Sequence, residues 1–128
     1  MENRINISSG TPWEDKVGYS RVVKVGNHIF VTGTVAINDD GNIVGKTAFE
    51  QADFIISKIE QYLHKVNTTL KDVVRTRIFV TNIKDWEQIG KAHHKYFKNI
   101  KPATTMVEVS KLIDSNLLIE IEADAIQS

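Results

Sequence analysis

Cysteine is absent from the 128-residue chain, and proline occurs only at Pro12 and Pro102. Without thiols, the sequence excludes disulfide scaffolds, thiolate zinc sites and cysteine nucleophiles. Neither sign of charge is in excess, because 16 lysines and arginines balance 16 aspartates and glutamates. A dedicated nucleic-acid binder usually carries a basic excess, so we expect neither a nucleic-acid partner nor a membrane surface. No apolar run approaches the roughly 20 residues of a membrane helix.

The size and composition predict one domain over residues 1–128, since 41% of the residues are hydrophobic and nothing resembles a linker or a repeat. Residues 1–10 are polar and lack the apolar core of a secretory signal. Together with the absence of cysteine, this leads us to expect a cytoplasmic protein.

Turn signals and a helix cap organise the first half of the chain. Gly26-Asn27, between two β-branched runs, predicts a tight hairpin, and residues 39–42 predict a second turn. Thr47 and Glu50 have the spacing of a capping box, which predicts the start of a helix. Apolar residues then recur at steps of three and four and predict one buried stripe. The stripe comprises Phe49, Ala52, Ile56, Ile59, Leu63 and Val66.

The second half alternates strands with one helix. Strands are predicted over 72–80, 103–109 and 117–126, and Asn82 is a candidate cap for the intervening helix. The inner face of that helix is predicted to carry Trp86, Ile89, His93, Tyr96 or Phe97, and Ile100. This order of elements predicts an α+β fold in which both helices pack on one face of a sheet.

Side chains alternate across a strand, so the other face of the sheet can be listed as well. It is expected to carry Arg75, Arg77, Phe79, Met106, Glu108, Glu120, Glu122 and Asp124, with Arg21 as a further candidate. One interpretation is a solvated face, whose exposed charges contribute little to stability. The other is contact with a second subunit, since arginine pairs well with carboxylates and apolar groups among charges favour burial.

The residues by themselves support few catalytic constellations. His93 and His94 are adjacent on a helix and point about 100° apart, which is unsuitable for one metal ion. We therefore predict no metal site, and we expect His93 to be packed against a hydrogen-bonding partner. Glu108 and Glu120 are candidates for a carboxylate pair, although nearby arginines favour two ionised groups. Gly33 has no companion glycine for a phosphate loop, and no cofactor is predicted.

Residues 102–109 read Pro-Ala-Thr-Thr-Met-Val-Glu-Val, and residues 119–123 read Ile-Glu-Ile-Glu-Ala. These segments, with residues 72–80 and the turn Val-Thr-Gly at 31–33, resemble the Rid family of reactive intermediate (enamine/imine) deaminases, also called YjgF-like proteins. The resemblance runs from about residue 18 to 125. It implies a chorismate-mutase-like α+β fold with a mixed sheet. It also implies a homotrimer with the sheets facing a central barrel and ligand clefts between adjacent subunits.

The resemblance implies an activity and a set of site residues. The best-known members hydrolyse 2-aminoacrylate and related imines to keto acids and ammonia. The glutamate that positions the attacking water falls on Glu120. A cleft tyrosine and a cleft hydroxyl fall on Tyr19 and Thr32. For a hydrolase, backbone amides near Gly33 or Thr104 are further candidates for binding a polar ligand atom.

The important departure concerns the arginine that fixes the substrate carboxylate in those members, because it falls on Thr104. The cysteine two positions on falls on Met106, and a cleft asparagine falls on Gly90. A threonine cannot make the charged two-pronged contact of arginine with a carboxylate. The chain therefore resembles a subgroup that lacks this arginine.

Two explanations for the departure stay open at this stage. In the first, Arg21, or Arg75 or Arg77 from the neighbouring subunit, enters the cleft from another direction. In the second, the cleft binds a ligand without a carboxylate. Three functions follow. The first is an imine or enamine hydrolase with altered specificity, and the second is a small-metabolite-binding or regulatory trimer without chemistry. The third, a ribonuclease or translation inhibitor, is disfavoured by the neutral charge.

Overall fold

The computed structural model of the protein describes residues 3–128, so the first two positions of the polar N-terminal segment lie outside the described residues. Over these residues, six strands form one sheet in the order β1-β2-β3-β6-β4-β5. Only the β4–β5 pair is parallel among these neighbours. The strands are β1 Arg4–Ile7, β2 Val22–Val25, β3 His28–Val35, β4 Val73–Val80, β5 Ala103–Glu108 and β6 Ile119–Ile126. The α-helices are α1 Pro12–Val17, α2 Ala48–His64 and α3 Trp86–Phe97.

The predicted turns and the start of α2 are confirmed. Gly26 adopts a φ of 58° in the two-residue connection between β2 and β3, a conformation that glycine adopts without strain. Thr47 accepts a hydrogen bond from the Glu50 amide, while the Glu50 carboxylate accepts from the Thr47 amide. This reciprocal cap satisfies amides that the first turn of α2 would otherwise leave unpaired.

Both long helices pack on one face of the sheet, as predicted. The core joins side chains of α2 and α3 to those of β3, β4 and β6, among them Ile56, Ile59, Ile89, Ile78 and Ile121. A polar clamp adds to this packing between the helices. The Asp53 carboxylate accepts hydrogen bonds from Lys95 Nζ and from the Tyr96 hydroxyl, each at 2.8 Å.

The prediction that Trp86 lies on the inner face of its helix is wrong, because Trp86 is 57% exposed. Asn82 caps a single 3₁₀ turn at 83–85, and α3 begins only at Trp86. Within α3, Ile89 and Phe97 are buried as predicted, and Ala92 is buried with them. Trp86 shares an outward groove with Gly90 and His94, which follow it at steps of four residues.

The assignment of faces in β5 is also wrong. The parallel register places Met106 beside Ile78, on the helix-covered face, and Met106 packs against the core. Val107 lies beside Phe79 and is 43% exposed. Because β5 is at the edge of the sheet, its alternate residues differ little in burial. The alternation of residue types therefore did not indicate which side chains of β5 face the helices.

Glu108 does not form a carboxylate pair with Glu120. The strand β4 separates β5 from β6, and Glu108 lies in register with Val80 rather than on the face of Glu120. Its carboxylate accepts a hydrogen bond from the Ile83 amide at 3.0 Å. Glu108 therefore caps the turn that leads into α3, which is a structural role.

Candidate functional site

Glu120 projects from the middle of the sheet on the face opposite α2 and α3. We call this surface the open face and define it by Arg77, Phe79, Glu120, Glu122 and Asp124, which alternate with buried residues of β4 and β6. The face is charged as predicted, although Met106 and Glu108 do not belong to it. Glu120 itself is half-buried.

A bulge in β3 creates the space that Glu120 occupies. The register between β3 and β6 shifts between Val31 and Thr34. Gly33 lies in this bulge, and a β-carbon built on it would fall 2.1 Å from Glu120 Oε2. Only a glycine leaves room for the carboxylate, so Gly33 and Glu120 form one local unit.

The environment of Glu120 favours its protonated form. Burial raises the pKa of Glu120, repulsion from Glu122 raises it further, and the positive charge of Arg21 partly opposes both effects. A carboxyl group with a raised pKa exchanges protons more readily near neutral pH than a free carboxyl group does. Such a group is suited to accept a proton from water and to return it later.

Arg21 supports the bulge and does not project onto the open face. Its Nη1 donates hydrogen bonds to the Gly33 carbonyl at 2.9 Å and to Thr34 Oγ1 at 3.3 Å. The guanidinium lies over the ring of Tyr62 in α2, 5.6 Å from its centroid. Arg21 is thus held on the helix side of the sheet, where its contacts fix the backbone that cradles Glu120.

Tyr19 and Thr32 come together in a cleft on the open face. The cleft has a volume of about 600 Å³, and its lining includes Phe30, Glu122 and Asp124. Thr32 precedes Gly33 in the bulge, so this cleft adjoins the position of Glu120. Of the residues that the resemblance indicated, Tyr19 and Thr32 line this cleft, and Gly33 and Glu120 form a pair beside it rather than part of its lining.

The backbone beside Tyr19 is fixed by a feature that the sequence analysis missed. Glu14 of α1 is buried, and its carboxylate accepts hydrogen bonds from Ser8, Ser9 and Thr11. Burial by itself would raise the pKa of Glu14, but these hydrogen bonds outweigh it and lower the pKa. The Tyr19 amide in turn donates to the Glu14 carbonyl at 3.0 Å. In the sequence, the closely spaced hydroxyl residues at 8, 9 and 11, just before Glu14, could have indicated this hydrogen-bonded carboxylate.

The other arginines of the open face differ in their contacts. Arg77 Nη1 pairs with Glu122 at 3.1 Å and with Asp124 at 3.2 Å. Arg75 is exposed and lies in register with Asp124. Arg77 is thus committed to two carboxylates of its own chain and is a poor replacement for an arginine that binds a ligand.

Thr104, Met106 and Gly90 lie apart from Glu120 and from the cleft of Tyr19 and Thr32 within this chain. Thr104 and Met106 are on β5, in register with the inward residues Thr76 and Ile78. Thr104 is exposed at the sheet edge, and Gly90 lies on α3, in the groove with Trp86 and His94. Within one chain, the candidate site is therefore divided into two groups.

Thr104 belongs to a hydrogen-bonded network that the sequence analysis missed in part. Its hydroxyl lies 2.8 Å from Thr76 Oγ1, which lies 3.0 Å from His93 Nε2. The expectation that His93 is packed with a partner is confirmed, since its ring also contacts Phe97 at a centroid distance of 4.5 Å. Burial lowers the pKa of His93. The sequence could have indicated Thr76, because it is the polar residue on the face of β4 that otherwise carries Ile78 and Val80.

Two structural findings concern metal binding and membrane insertion. Among residues 3–128, no three His, Asp or Glu side chains are grouped closely enough to hold a metal ion. In the same part of the chain, every helix is too short or too polar to cross a bilayer.

Comparison with known proteins gives a consistent family relationship. Residues 13–127 match the endoribonuclease L-PSP family. A RutC family protein of Pyrococcus abyssi is 37% identical over 108 residues, which cover 84% of each chain. Rv2704 of Mycobacterium tuberculosis, described as a member of the YjgF/YER057c/UK114 family, has 43% identity and a TM-score of 0.88 over 96% of this chain and 98% of its own. YyfA of Yersinia pestis, described as a Rid family protein of unknown function, has 34% identity and a TM-score of 0.80 over 84% of this chain and 86% of its own.

Proposed function

The chain belongs to the endoribonuclease L-PSP family, also described as YjgF and Rid, and we propose that it hydrolyses imines or enamines with an altered substrate specificity. The observation that carries this proposal is the half-buried Glu120 carboxylate held against Gly33 with a raised pKa. A carboxylate whose pKa is raised is a stronger base toward a proton of water than an ordinary carboxylate.

In the proposed reaction, Glu120 orients a water molecule and accepts a proton from it. The water oxygen bonds to the carbon of the N-protonated imine, which gives a neutral carbinolamine. The protonated Glu120 then returns its proton to the nitrogen. The Glu120 carboxylate takes the hydroxyl proton as the carbon–nitrogen bond breaks, and a carbonyl compound and ammonia leave. Tyr19 and Thr32 supply hydroxyl groups in the adjoining cleft for orienting the substrate.

The division of the site supports a cleft between subunits. In one group, Thr32, Gly33 and Glu120 lie on β3 and β6, and Tyr19 lies in the segment between α1 and β2. The other group (Gly90, Thr104 and Met106) lies on α3 and the edge strand β5. Phe79 and the exposed Val107 place apolar area among the charges of the open face, which is typical of a covered surface. We therefore propose a cytoplasmic homotrimer in which each cleft combines the two groups from neighbouring chains.

A second function is favoured by Thr104. Where the resemblance implies an arginine, this chain presents a hydroxyl that is already hydrogen-bonded within the chain. Loss of a charge-assisted contact costs roughly 1.5–3 kcal/mol, which is about tenfold to a hundredfold in affinity. A trimer that binds a small metabolite without turnover is therefore the alternative, and ligand-induced stabilisation without ammonia release would identify it.

The deaminase proposal is tested by generating 2-aminoacrylate in the assay and following pyruvate formation. Wild type is compared with Thr104→Arg and Glu120→Gln. Acceleration by wild type or by Thr104→Arg, each abolished when Glu120→Gln is added, supports the hydrolase. Inert wild type and inert Thr104→Arg, both well folded, would favour the binding function instead.

A further inference from the structure

The three groups Thr104, Thr76 and His93 form a continuous line from the surface into the space between α3 and the sheet. Thr104 is exposed, Thr76 is 1% exposed, and His93 is half-buried. The Thr104 hydroxyl has a further neighbour, the Pro102 carbonyl, at 3.0 Å. A carbonyl can only accept, so the direction of each hydrogen bond in this line is restricted.

The Thr76 hydroxyl is buried and must donate its one proton as well as accept, which permits only two arrangements. In the first, Thr104 donates to Thr76, and Thr76 donates to an unprotonated His93 Nε2. In the second, His93 Nε2–H donates to Thr76, Thr76 donates to Thr104, and Thr104 donates to the Pro102 carbonyl. A doubly protonated His93 gives the second arrangement again.

The Thr104 proton is engaged inside the chain in both arrangements. Only the lone pairs of its oxygen remain for a ligand, whatever the tautomer or charge of His93. Turning the proton outward would break an existing hydrogen bond, so the net gain from donating to a ligand is small. An arginine in the same place would present only donors.

We infer that Thr104, held by Thr76 and His93, makes this part of the cleft accept a hydrogen bond, so that it selects ligands with a neutral N–H donor, such as a carboxamide, over carboxylates. The inference rests on the proposed cleft and names its substrate class. A carboxylate brings only acceptor atoms and a negative charge to the Thr104 oxygen, whereas the amide of the same molecule brings two N–H donors. Thr104 is thereby a specificity-determining residue, and Thr76 and His93 are positioning residues.

The test uses pyruvamide and pyruvate, which differ in this one group, as probes of binding to the assembled protein. Dissociation constants are measured by calorimetry for wild type, Thr104→Val, Thr104→Arg and Thr105→Val. Thr104→Val removes the hydroxyl with little change in shape. Thr105 is the matched control, because it is the neighbouring exposed threonine and lies in register with Arg77 on the other face.

Wild type and Thr105→Val are expected to bind pyruvamide about threefold to tenfold more tightly than pyruvate, the range for one net hydrogen bond. Thr104→Val should lose this preference, and Thr104→Arg should reverse it. A wild type that prefers pyruvate, a Thr104→Val that keeps the amide preference, or a wild type that binds neither probe would overturn the inference.

Turnover is read separately, so that the two proposals fail in distinguishable ways. Amide preference without ammonia release from any imine leaves the inference standing and rejects the hydrolase. Ammonia release that depends on Glu120, combined with a preference for pyruvate, rejects the inference and leaves the hydrolase.

Discussion

The Glu120 carboxylate occupies the volume that a side chain at position 33 would need, with Oε2 2.1 Å from where a β-carbon of residue 33 would lie. Gly33 is thus required by the position of Glu120 rather than by its own backbone conformation. Because the displaced atom is the end of a flexible side chain, a methyl group at position 33 should move the carboxylate without unfolding the protein.

The variant Gly33→Ala is expected to lower turnover at least tenfold while changing stability little, since small displacements of a catalytic group reduce rates strongly. Steady-state kinetics and thermal melts measure the two effects. Gly90→Ala is the control for stability alone, because Gly90 belongs to the proposed cleft and a β-carbon at position 90 meets nothing within 4 Å in its own chain. It should stabilise α3 by about 0.5–1 kcal/mol. An active Gly33→Ala would show that the contact has no catalytic role.

Glu120→Gln is expected to stabilise the protein at neutral pH while removing activity. Burial raises the pKa of Glu120 in the folded state, so the folded protein binds this proton more tightly than the unfolded chain does. The favourable contribution is complete below the pKa of an unfolded carboxyl and is lost as pH rises through the raised value.

Thermal melts at pH 8 should therefore place Glu120→Gln a few degrees above wild type, and the difference should shrink near pH 4. Glu122→Gln is the control on the same face, and it should not gain stability, because Glu122 pairs with Arg77. A destabilised Glu120→Gln at pH 8 would contradict the assigned environment of Glu120.

His93 should give the protein a stability change on the acid side of neutrality. Burial lowers the pKa of His93, so the unfolded chain binds this proton more readily than the folded protein does. The stability is complete above the unfolded histidine pKa of about 6.5 and is lost as pH falls through the lowered value. Urea denaturation between pH 7.5 and 5 should show a smaller loss for His93→Gln than for wild type. The control is His94→Gln at the exposed neighbouring position, which retains His93 and should lose as much stability as wild type over the same pH range.

Tyr96→Phe is expected to lower stability by about 1 kcal/mol, the usual net value of one hydrogen bond. The hydroxyl donates to Asp53 across the α2–α3 contact, and burial followed by the Asp53 hydrogen bond raises the pKa of Tyr96 to about 12. Denaturant titration measures the loss, and spectrophotometric titration of the phenols should show one late-titrating tyrosine missing in the variant. A Tyr96→Phe protein as stable as wild type would mean that the clamp does not contribute.

The sequence was sufficient to predict an element where its local pattern of caps and apolar residues agrees with the packing in the folded protein. The capping box at Thr47 and the helical spacing of apolar residues located α2 because its stripe faces the centre of the sheet. The alternation in β4 and β6 gave the correct faces for the same reason, since both strands are interior and have helices on one side.

The errors arose where long-range pairing decides the outcome. The side of the sheet that Met106 occupies depends on the parallel register of an edge strand, and Glu108 lost its supposed partner because β4 lies between β5 and β6. The network of Thr76, His93 and Thr104 joins three separate elements, so no local pattern could show it. The short segments β1 and α1 were missed because four and six residues are too few to establish a period.

The central claim is that Glu120 carries hydrolysis of an imine, and the most direct measurement is ammonia release. Imines of pyruvate and of pyruvamide, generated in the assay, are offered to wild type, Glu120→Gln and the control Glu60→Gln on α2. We predict that wild type and Glu60→Gln release ammonia faster than the uncatalysed reaction, with the amide-bearing imine preferred, and that Glu120→Gln does not. A folded Glu120→Gln that retains the wild-type rate would contradict the account.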